Sequence, residues 1–380
     1  MKISKTWKIA AIATSIALFA ASSASAASVN LTGAGSTFAI PLLDSCKAGF
    51  TAATGNTITY SGGGSGAGRS ASDKGIGDVN FSDTAHTGAT RLATVIHVPI
   101  LAAPIAVMYN FRTARPLNLS PETVAGIFSG KITKWNDPKI VAENNRTFNT
   151  VLYKKNSKGE VLKDKTGSPI VLRTVTSRTH LTLPAKTIQV IYRSDSSGTS
   201  GNFTAFLHGM APSVWPKAAN GDFKASFPED INGTGNLGRI VAAAGSPGVA
   251  TLAGKTPYSV TYAEKNFAKA AGLKLANIEN AAGNFQAPDA GGTSAFLGAA
   301  TVDSNGFLTF DYNTKEAGAY PLGIVSYALV DTKGKNAAAV ADFLTYLLDP
   351  KCPGTDPALG YTTITGALRT LDVKQIARLR

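Results

Sequence analysis

The sequence is poor in cysteine, histidine and charge, and each shortage excludes a class of protein. Two cysteines in 380 residues are too few for a disulfide scaffold or for a four-thiolate zinc or iron–sulfur site. The four histidines are scattered without the spacing of metal ligands. Charged residues make up 16% and hydrophobic residues 44%, which excludes a disordered chain and a charge-rich coiled coil. The length predicts two domains with enough core to fold unaided.

The N-terminus has no apolar run long enough to cross a membrane. Its apolar run, Ile9–Ala21, has 13 residues, whereas a membrane-spanning helix needs about 20. Three lysines precede this run and the A-x-A sequence Ala24-Ser25-Ala26 follows it, which is the pattern of a secretory signal. We therefore expect residues 1–26 to be removed near Ala26 and the mature chain to be a soluble periplasmic protein. An uncleaved membrane anchor is the alternative.

Much of the basic charge lies in one stretch. The formal net charge is +13, and residues 144–187 hold nine lysines or arginines against two acidic residues. Strand-like pieces at 150–153 and 170–175, joined by turn signals at 156–159 and 166–169, predict a basic β insertion here. Such clusters can bind nucleic acid, anionic lipid or anionic ligands. The stretch contains only two aromatic residues, so we do not expect a surface that stacks nucleic-acid bases.

Outside the insertion, short apolar strands alternate with glycine-rich turns and amphipathic helices. Helices are predicted from Thr37 to a stop at Gly55, from a cap at Ser120, over 202–210 and over 338–348. Strands are predicted at 29–32, 57–60, 188–193 and 322–330, with extended chain at 95–109. This alternation is typical of an α/β fold. The segment 233–238 fits G-x-G-x-x-G but follows no buried strand, so we interpret it as a helix start and not as a dinucleotide site.

Three helix starts share the chemistry of an anion site: Gly35–Phe38, Gly64–Gly68 and Ser196–Thr199. Each places glycine and hydroxyl residues where unpaired backbone N–H groups and the positive end of a helix dipole can bind an oxyanion. Helix capping is the alternative for any one of them. Arg193 leaves a predicted strand beside the third start, where it could grip an oxyanion with two parallel N–H bonds. Asp195 could hold that guanidinium in place, or the two could form a purely structural salt bridge.

Six segments resemble the phosphate-binding proteins of high-affinity ABC phosphate transporters. They are GAGSTF (33–38), YSGGGSGAG (60–68), FSDT (81–84), FSGKITKWNDPKI (128–140), YRSDSSGTS (192–200) and YPLGIVSYALV (320–330). Order and spacing agree over the mature chain except at 144–187. The resemblance implies an α/β fold with two lobes, the clamshell of the periplasmic binding proteins of type 2, with hinge crossings near 102–110 and 319–330. Lobe I would comprise 27–107 and 321–380, and lobe II would comprise 108–320 with the basic insertion.

The resemblance also implies a set of phosphate-binding residues: Thr37, Phe38, Ser65, Asp83, Arg193, Ser197, Gly198 and Thr199. Asp195 would orient Arg193. Asp83 would accept the hydrogen that phosphate keeps and sulfate lacks, which gives specificity; from FSDT alone, helix or turn capping is the alternative. Cys46 and Cys352 fall in the same expected lobe, where a disulfide between them is one possibility and two free thiols the other.

The implied function is that of a periplasmic receptor that binds inorganic phosphate and delivers it to a membrane ABC phosphate permease. We expect a monomer with no catalytic residue, no cofactor and no metal, which does not bind nucleic acid. Two alternatives stay open. One is an exported phosphatase that uses the same anion cradle, and the other is a surface-binding protein that acts through the basic insertion.

Overall fold

The computed structural model describes residues 28–154, 162, 164–166, 170–178, 180–352, 360–362 and 364–380. The predicted signal and the turn predicted at 156–159 lie outside these residues. The strands are Asn30–Gly35 (β1), Thr57–Gly63 (β2), Asn80–Ser82 (β3), Val95–Tyr109 (β4), Asn118–Leu119 (β5), Thr147–Tyr153 (β6), Val171–Arg178 (β7), Gln189–Arg193 (β8), Ile240–Ala243 (β9), Ser259–Glu264 (β10), Lys274–Leu275 (β11), Asn277–Glu279 (β12), Phe285–Gln286 (β13), Thr301–Val302 (β14), Leu308–Thr309 (β15) and Gly323–Asp331 (β16). The helices are Ile40–Thr54 (α1), Ser65–Asp73 (α2), Pro121–Phe128 (α3), Pro138–Asn144 (α4), Gly198–Met210 (α5), Phe223–Ser226 (α6), Gly245–Lys255 (α7), Asn266–Ala270 (α8), Ala290–Gly298 (α9), Ala337–Leu347 (α10) and Gly366–Ala377 (α11).

Local signals in the sequence set several helix ends. Gly55 ends α1 with a left-handed φ of 76°, a conformation that glycine adopts without steric cost. Ser120 caps α3 by accepting a hydrogen bond from the Thr123 N–H at 3.2 Å, and Pro121 occupies the first turn. The predicted α/β alternation is confirmed.

Two predicted helix starts are wrong. The helix predicted from Thr37 begins at Ile40, because the residues before it form a bend in which the Phe38 N–H donates to Ser36 Oγ at 3.1 Å. The segment 233–238 forms successive turns that lead into β9 and contains no helix. Gly238 has a φ of 70°, which a right-handed helix does not allow.

The strand β4 carries both halves of the main sheet and is buried along all of its 15 residues. Its first part, 95–104, pairs antiparallel with β16, and β3, β1 and β2 follow outward in that order. Its last part, 105–109, pairs antiparallel with β10, which is followed by β8 and β9. The partner therefore changes between Pro104 and Ile105, in the middle of one continuous strand.

The basic insertion forms a separate antiparallel pair. Within the described residues, β6 and β7 pair only with each other, from Thr147 opposite Arg178 to Tyr153 opposite Val171. The two predicted strands are thus confirmed, and both are longer than expected; that this stretch is an insertion relative to the family stays a prediction.

The structure joins Cys46 of α1 to Cys352 in a disulfide, with the two Cα atoms 5.1 Å apart. The same side of α1 packs on α10, where the Phe50 and Phe343 rings meet edge to face at 5.0 Å. Both contacts fix the direction of α1, whose start lies in the site described below. In the described part of the chain, no helix is long and apolar enough to cross a membrane.

Candidate anion-binding site

Two sets of three parallel strands run in opposite directions, and their carboxyl ends meet at one buried polar site, where β4 changes its partner. β1 lies parallel to β2 and β3, and β8 lies parallel to β9 and β10. Helices α1, α2, α5 and α7 start after β1, β2, β8 and β9, so their N-termini lie at the carboxyl ends of the two sets, where these ends face each other. The ends of β3 and β10 contribute the carboxylates of Asp83 and Glu264. A fold of this kind gathers helix dipoles and side chains at one place, although they are far apart in sequence.

Arg193, the last residue of β8, is the cation at the centre of this site and is 2% exposed. Its Nε donates to Asp195 Oδ1 at 2.7 Å and its Nη2 to Asp195 Oδ2 at 2.5 Å, a bidentate pair. Its Nη1 donates to Ser246 Oγ at 2.9 Å and lies 3.4 Å from Thr199 Oγ1. Burial lowers the pKa of Arg193, but the hydrogen bond and charge of Asp195 outweigh that effect and raise it. The guanidinium therefore stays charged, and the edge that carries Nε and Nη2 is hydrogen-bonded to Asp195.

Asp83 follows β3 and is 4% exposed. Ser326 Oγ donates to its Oδ1 at 2.6 Å, and Ser65 Oγ donates to its Oδ2 at 3.1 Å. Burial raises the pKa of Asp83 above its usual value, and the serine hydroxyls and the charge of Arg193 offset this rise only in part. Since the surrounding hydroxyls donate to it, this carboxyl is arranged as a hydrogen-bond acceptor inside an otherwise donor-rich site.

The start of α5 presents free donors. Ser197 caps the helix by accepting from the Ser200 N–H at 3.2 Å, and its own N–H donates to Gly221 O at 2.9 Å. Helix geometry leaves the N–H groups of Gly198 and Thr199 without an intrahelical acceptor. The hydroxyl hydrogen of Ser197 also remains available, because its oxygen acts as the acceptor in the cap.

The starts of α1 and α2 hold the remaining residues that are expected to bind the anion. Ser65 is the first residue of α2, after Gly64 with a φ of 85°. Thr37 Oγ1 accepts from the Ser246 N–H at 3.1 Å, which links the α1 and α7 starts. The Phe38 N–H, an expected ligand donor, here donates to Ser36 Oγ, so a ligand would have to share or replace that bond. The structure brings all nine residues expected at the site together.

Three residues near the site were not predicted. Ser246 lies at the start of α7, and the sequence Gly245-Ser246-Pro247 after a strand is a fourth signal of the same helix-start type. Ser326 lies in the family-like segment 320–330, but it is a single serine within the apolar strand β16, and Glu264 is a single acidic residue at the end of β10. Neither belongs to a cluster of glycine and hydroxyl residues like those of the helix starts. Both are fully buried.

The arrangement can hold a small oxyanion and accept one hydrogen from it. The helix starts, the serine and threonine hydroxyls and Arg193 supply donors, and Asp83 supplies an acceptor. Among the residues that the structure describes, no group of three or more His, Cys, Asp or Glu side chains is placed to hold a metal ion.

A family model described as a PBP superfamily domain matches residues 20–351, so the chain belongs to the PBP superfamily. Phosphate-binding protein PstS 3 of Mycobacterium tuberculosis is 32% identical over 295 residues, which cover 74% of this chain and 67% of the relative. Phosphate-binding protein PstS of Methanocaldococcus jannaschii is 29% identical over 317 residues, or 77% and 71% of the two chains. Within the superfamily, the chain belongs to the family of these phosphate-binding proteins.

A solved structure supports the same fold. The phosphate-binding protein from Stenotrophomonas maltophilia superposes with a TM-score of 0.60 at 19% identity, covering 90% of this chain and 93% of that one. At this identity the likeness concerns the fold alone. The expected α/β fold and the expected family are both confirmed.

Proposed function

We propose that this protein binds inorganic phosphate at the site around Arg193 and Asp83 and delivers it to an ABC-type phosphate permease. The observation that carries the proposal is the pairing of a buried, fixed guanidinium with a buried carboxylate acceptor in one donor-rich site. Phosphate at neutral pH keeps at least one hydrogen, which it can donate to Asp83, whereas sulfate keeps none. A site built around a ligand hydroxyl rejects an analogue that lacks it by about 10⁴- to 10⁵-fold.

The division into lobe I (27–107 and 321–380) and lobe II (108–320) is part of the proposal, and the contacts across the site support a closed state of the two lobes. The Gly66 N–H donates to Ser196 O at 2.9 Å, and Asn202 Nδ2 donates to Asp83 O at 2.6 Å. A Cβ atom at Gly198 would lie 2.6 Å from Asp83 Cβ, closer than side chains approach. Binding would then shift the lobes toward this state through contacts from both sides.

The protein in this proposal acts as an exported, periplasmic monomer that performs no chemistry on its ligand and does not bind nucleic acid. Its ligand-binding groups are Thr37, Phe38, Ser65, Asp83, Arg193, Ser197, Gly198 and Thr199, with Asp195 orienting the arginine. No step of catalysis is needed, because binding and release are the whole of a receptor's task.

The direct test is equilibrium binding of radiolabelled phosphate to purified protein stripped of bound ligand, with hydrolysis of a phosphomonoester assayed on the same sample. We expect one phosphate per chain and no hydrolysis above the buffer rate. Absence of phosphate binding would reject the receptor, and hydrolysis lost in Arg193→Ala would favour an enzyme built on the same site.

A further inference from the structure

Glu264 is a second buried carboxyl at the anion site, and it contacts Thr199 of the third helix start. It is 0% exposed, at the carboxyl end of β10. Its Oε1 lies 2.5 Å from Thr199 Oγ1, one of the hydroxyls expected to hold the ligand. Its Oε2 is buried and makes no hydrogen bond of normal geometry. A buried carboxylate oxygen without a partner costs free energy, so this group calls for a physical explanation.

The hydroxyl of Thr199 has one hydrogen, and Glu264 decides where it points. If Glu264 is ionised, it can only accept, so the Thr199 hydrogen is directed to Oε1 and away from the ligand. If Glu264 is protonated, its own O–H donates to Thr199 Oγ1 across the same distance. The Thr199 hydrogen is then free to point to an anion.

The charges around Glu264 favour the protonated form. Of the groups that act on it, Asp83 is negative, Arg193 is positive and already paired with Asp195, and Tyr361 is a buried phenol whose pKa is itself raised. Burial raises the pKa of Glu264 and the charge of Asp83 raises it further, while the hydroxyls of Thr199 and Ser246 and the charge of Arg193 lower it in part. An incoming phosphate adds negative charge and raises it again.

Resting on the proposed function, we infer that Glu264 is a positioning residue and that the site binds phosphate with Glu264 protonated: the Glu264 O–H donates a hydrogen bond to Thr199 Oγ1, and Thr199 donates its own hydrogen to a phosphate oxygen. The site then contains two carboxyl groups in opposite roles. Asp83 stays ionised and accepts a hydrogen from the ligand. Glu264 stays neutral and, through Thr199, supplies one. The two acids differ in their surroundings. Serine hydroxyls donate to both carboxylate oxygens of Asp83, whereas Oε2 of Glu264 has no hydrogen-bond partner of normal geometry among the described residues.

The inference predicts proton uptake when phosphate binds at a pH above the pKa of Glu264 in the free protein. Phosphate affinity should fall with rising pH there, by up to about tenfold per pH unit for one linked proton. Glu264→Gln removes this linkage, because an amide is neutral at every pH and can donate to Thr199 Oγ1. The ionisation of phosphate itself is common to both proteins and cancels in the comparison.

The experiment is titration calorimetry with phosphate in buffers of different ionisation enthalpy, on the full mature protein and on Glu264→Gln. We expect the native protein to take up more protons than Glu264→Gln and to lose affinity more steeply as the pH rises. The matched control is Glu143→Gln, because Glu143 Oε1 accepts from the Thr123 hydroxyl at 2.7 Å away from the site. This control should keep the native proton count.

Infrared difference spectra of the native protein give a second reading that does not depend on a variant folding. With the glutamate carboxyl carbons isotopically labelled, addition of phosphate should produce or strengthen a band of a protonated glutamic acid. Equal proton uptake in the native protein and Glu264→Gln over the pH range in which free Glu264 is ionised, or no protonated glutamate band with phosphate bound, would overturn the inference. Either result would leave the proposed function standing, since phosphate would still be bound; failure of the native protein to bind phosphate at all would reject the proposed function.

Discussion

Replacing Arg193 by alanine removes the cation at the centre of the site and gives the largest predicted loss of phosphate affinity. A guanidinium has five N–H donors, and two of those of Arg193 are fixed on Asp195. The remaining donors point toward Ser246 and Thr199, at the start of two helices. If phosphate takes two of them, at about 1.5 to 3 kcal/mol for each charge-assisted bond, the loss is about 3 to 6 kcal/mol. This corresponds to an increase in Kd of about 10² to 10⁴-fold.

Two further variants separate the reasons why Arg193→Ala loses phosphate affinity. Arg193→Lys keeps the charge but loses the bidentate geometry, so its affinity should lie between that of the native protein and that of Arg193→Ala. Arg193→Ala combined with Asp195→Ala should bind phosphate more tightly than Arg193→Ala alone, because the single variant leaves an unpaired carboxylate beside the anion. Calorimetric titration measures the affinities, and thermal melting checks that each variant is folded. A Kd of Arg193→Ala within threefold of the native value would refute the assignment of this residue.

The remaining predictions concern specificity, closure and stability. Asp83→Asn should bind sulfate measurably, because the amide can donate to an oxyanion that has no hydrogen, and competition of sulfate with labelled phosphate measures this; unchanged exclusion of sulfate would show that Asp83 is not the selective group. Gly198→Ala should weaken phosphate binding by more than tenfold, since its Cβ would lie 2.6 Å from Asp83 Cβ, whereas Gly248→Ala, with 3.8 Å to the nearest atom, should bind normally. Equal affinities of the two glycine variants would argue against tight contact at Gly198. Replacing Cys46 and Cys352 together by serine should lower the free energy of unfolding by about 2 to 4 kcal/mol, because the disulfide closes a loop over a sequence separation of 306, and denaturant unfolding checks it. Native stability in this double variant would mean that the disulfide does not constrain the unfolded chain.

Local chemistry in the sequence predicts those parts of the fold that depend on neighbouring residues. The Gly55 stop and the Ser120–Pro121 start are of this kind, because a left-handed glycine and a capping serine act within one helical turn. The segment 233–238 has a similar wealth of glycine, yet it forms turns that lead into β9. There the pairing of β9 with β8 decides the path of the chain, and such pairing is not visible in a short segment.

The residues of the site likewise divide into those that neighbouring residues reveal and those that only strand pairing brings in. Three helix starts are visible in the sequence because each combines glycine and hydroxyl residues within a few positions. Ser326 reaches Asp83 across 243 residues, and Glu264 reaches Thr199 across 65. Both are brought in by sheet pairing, through β16 and β10, so only the tertiary structure shows that they belong to the site.

The central claim is that one buried site holds an oxyanion and checks, through Asp83, whether it carries a hydrogen. The most direct test is calorimetric titration of the ligand-free mature protein with phosphate and then with sulfate at the same pH and ionic strength. The account predicts one phosphate per chain and sulfate binding weaker by about 10⁴-fold or more. Sulfate binding as tight as phosphate binding, or no binding of phosphate, would contradict it.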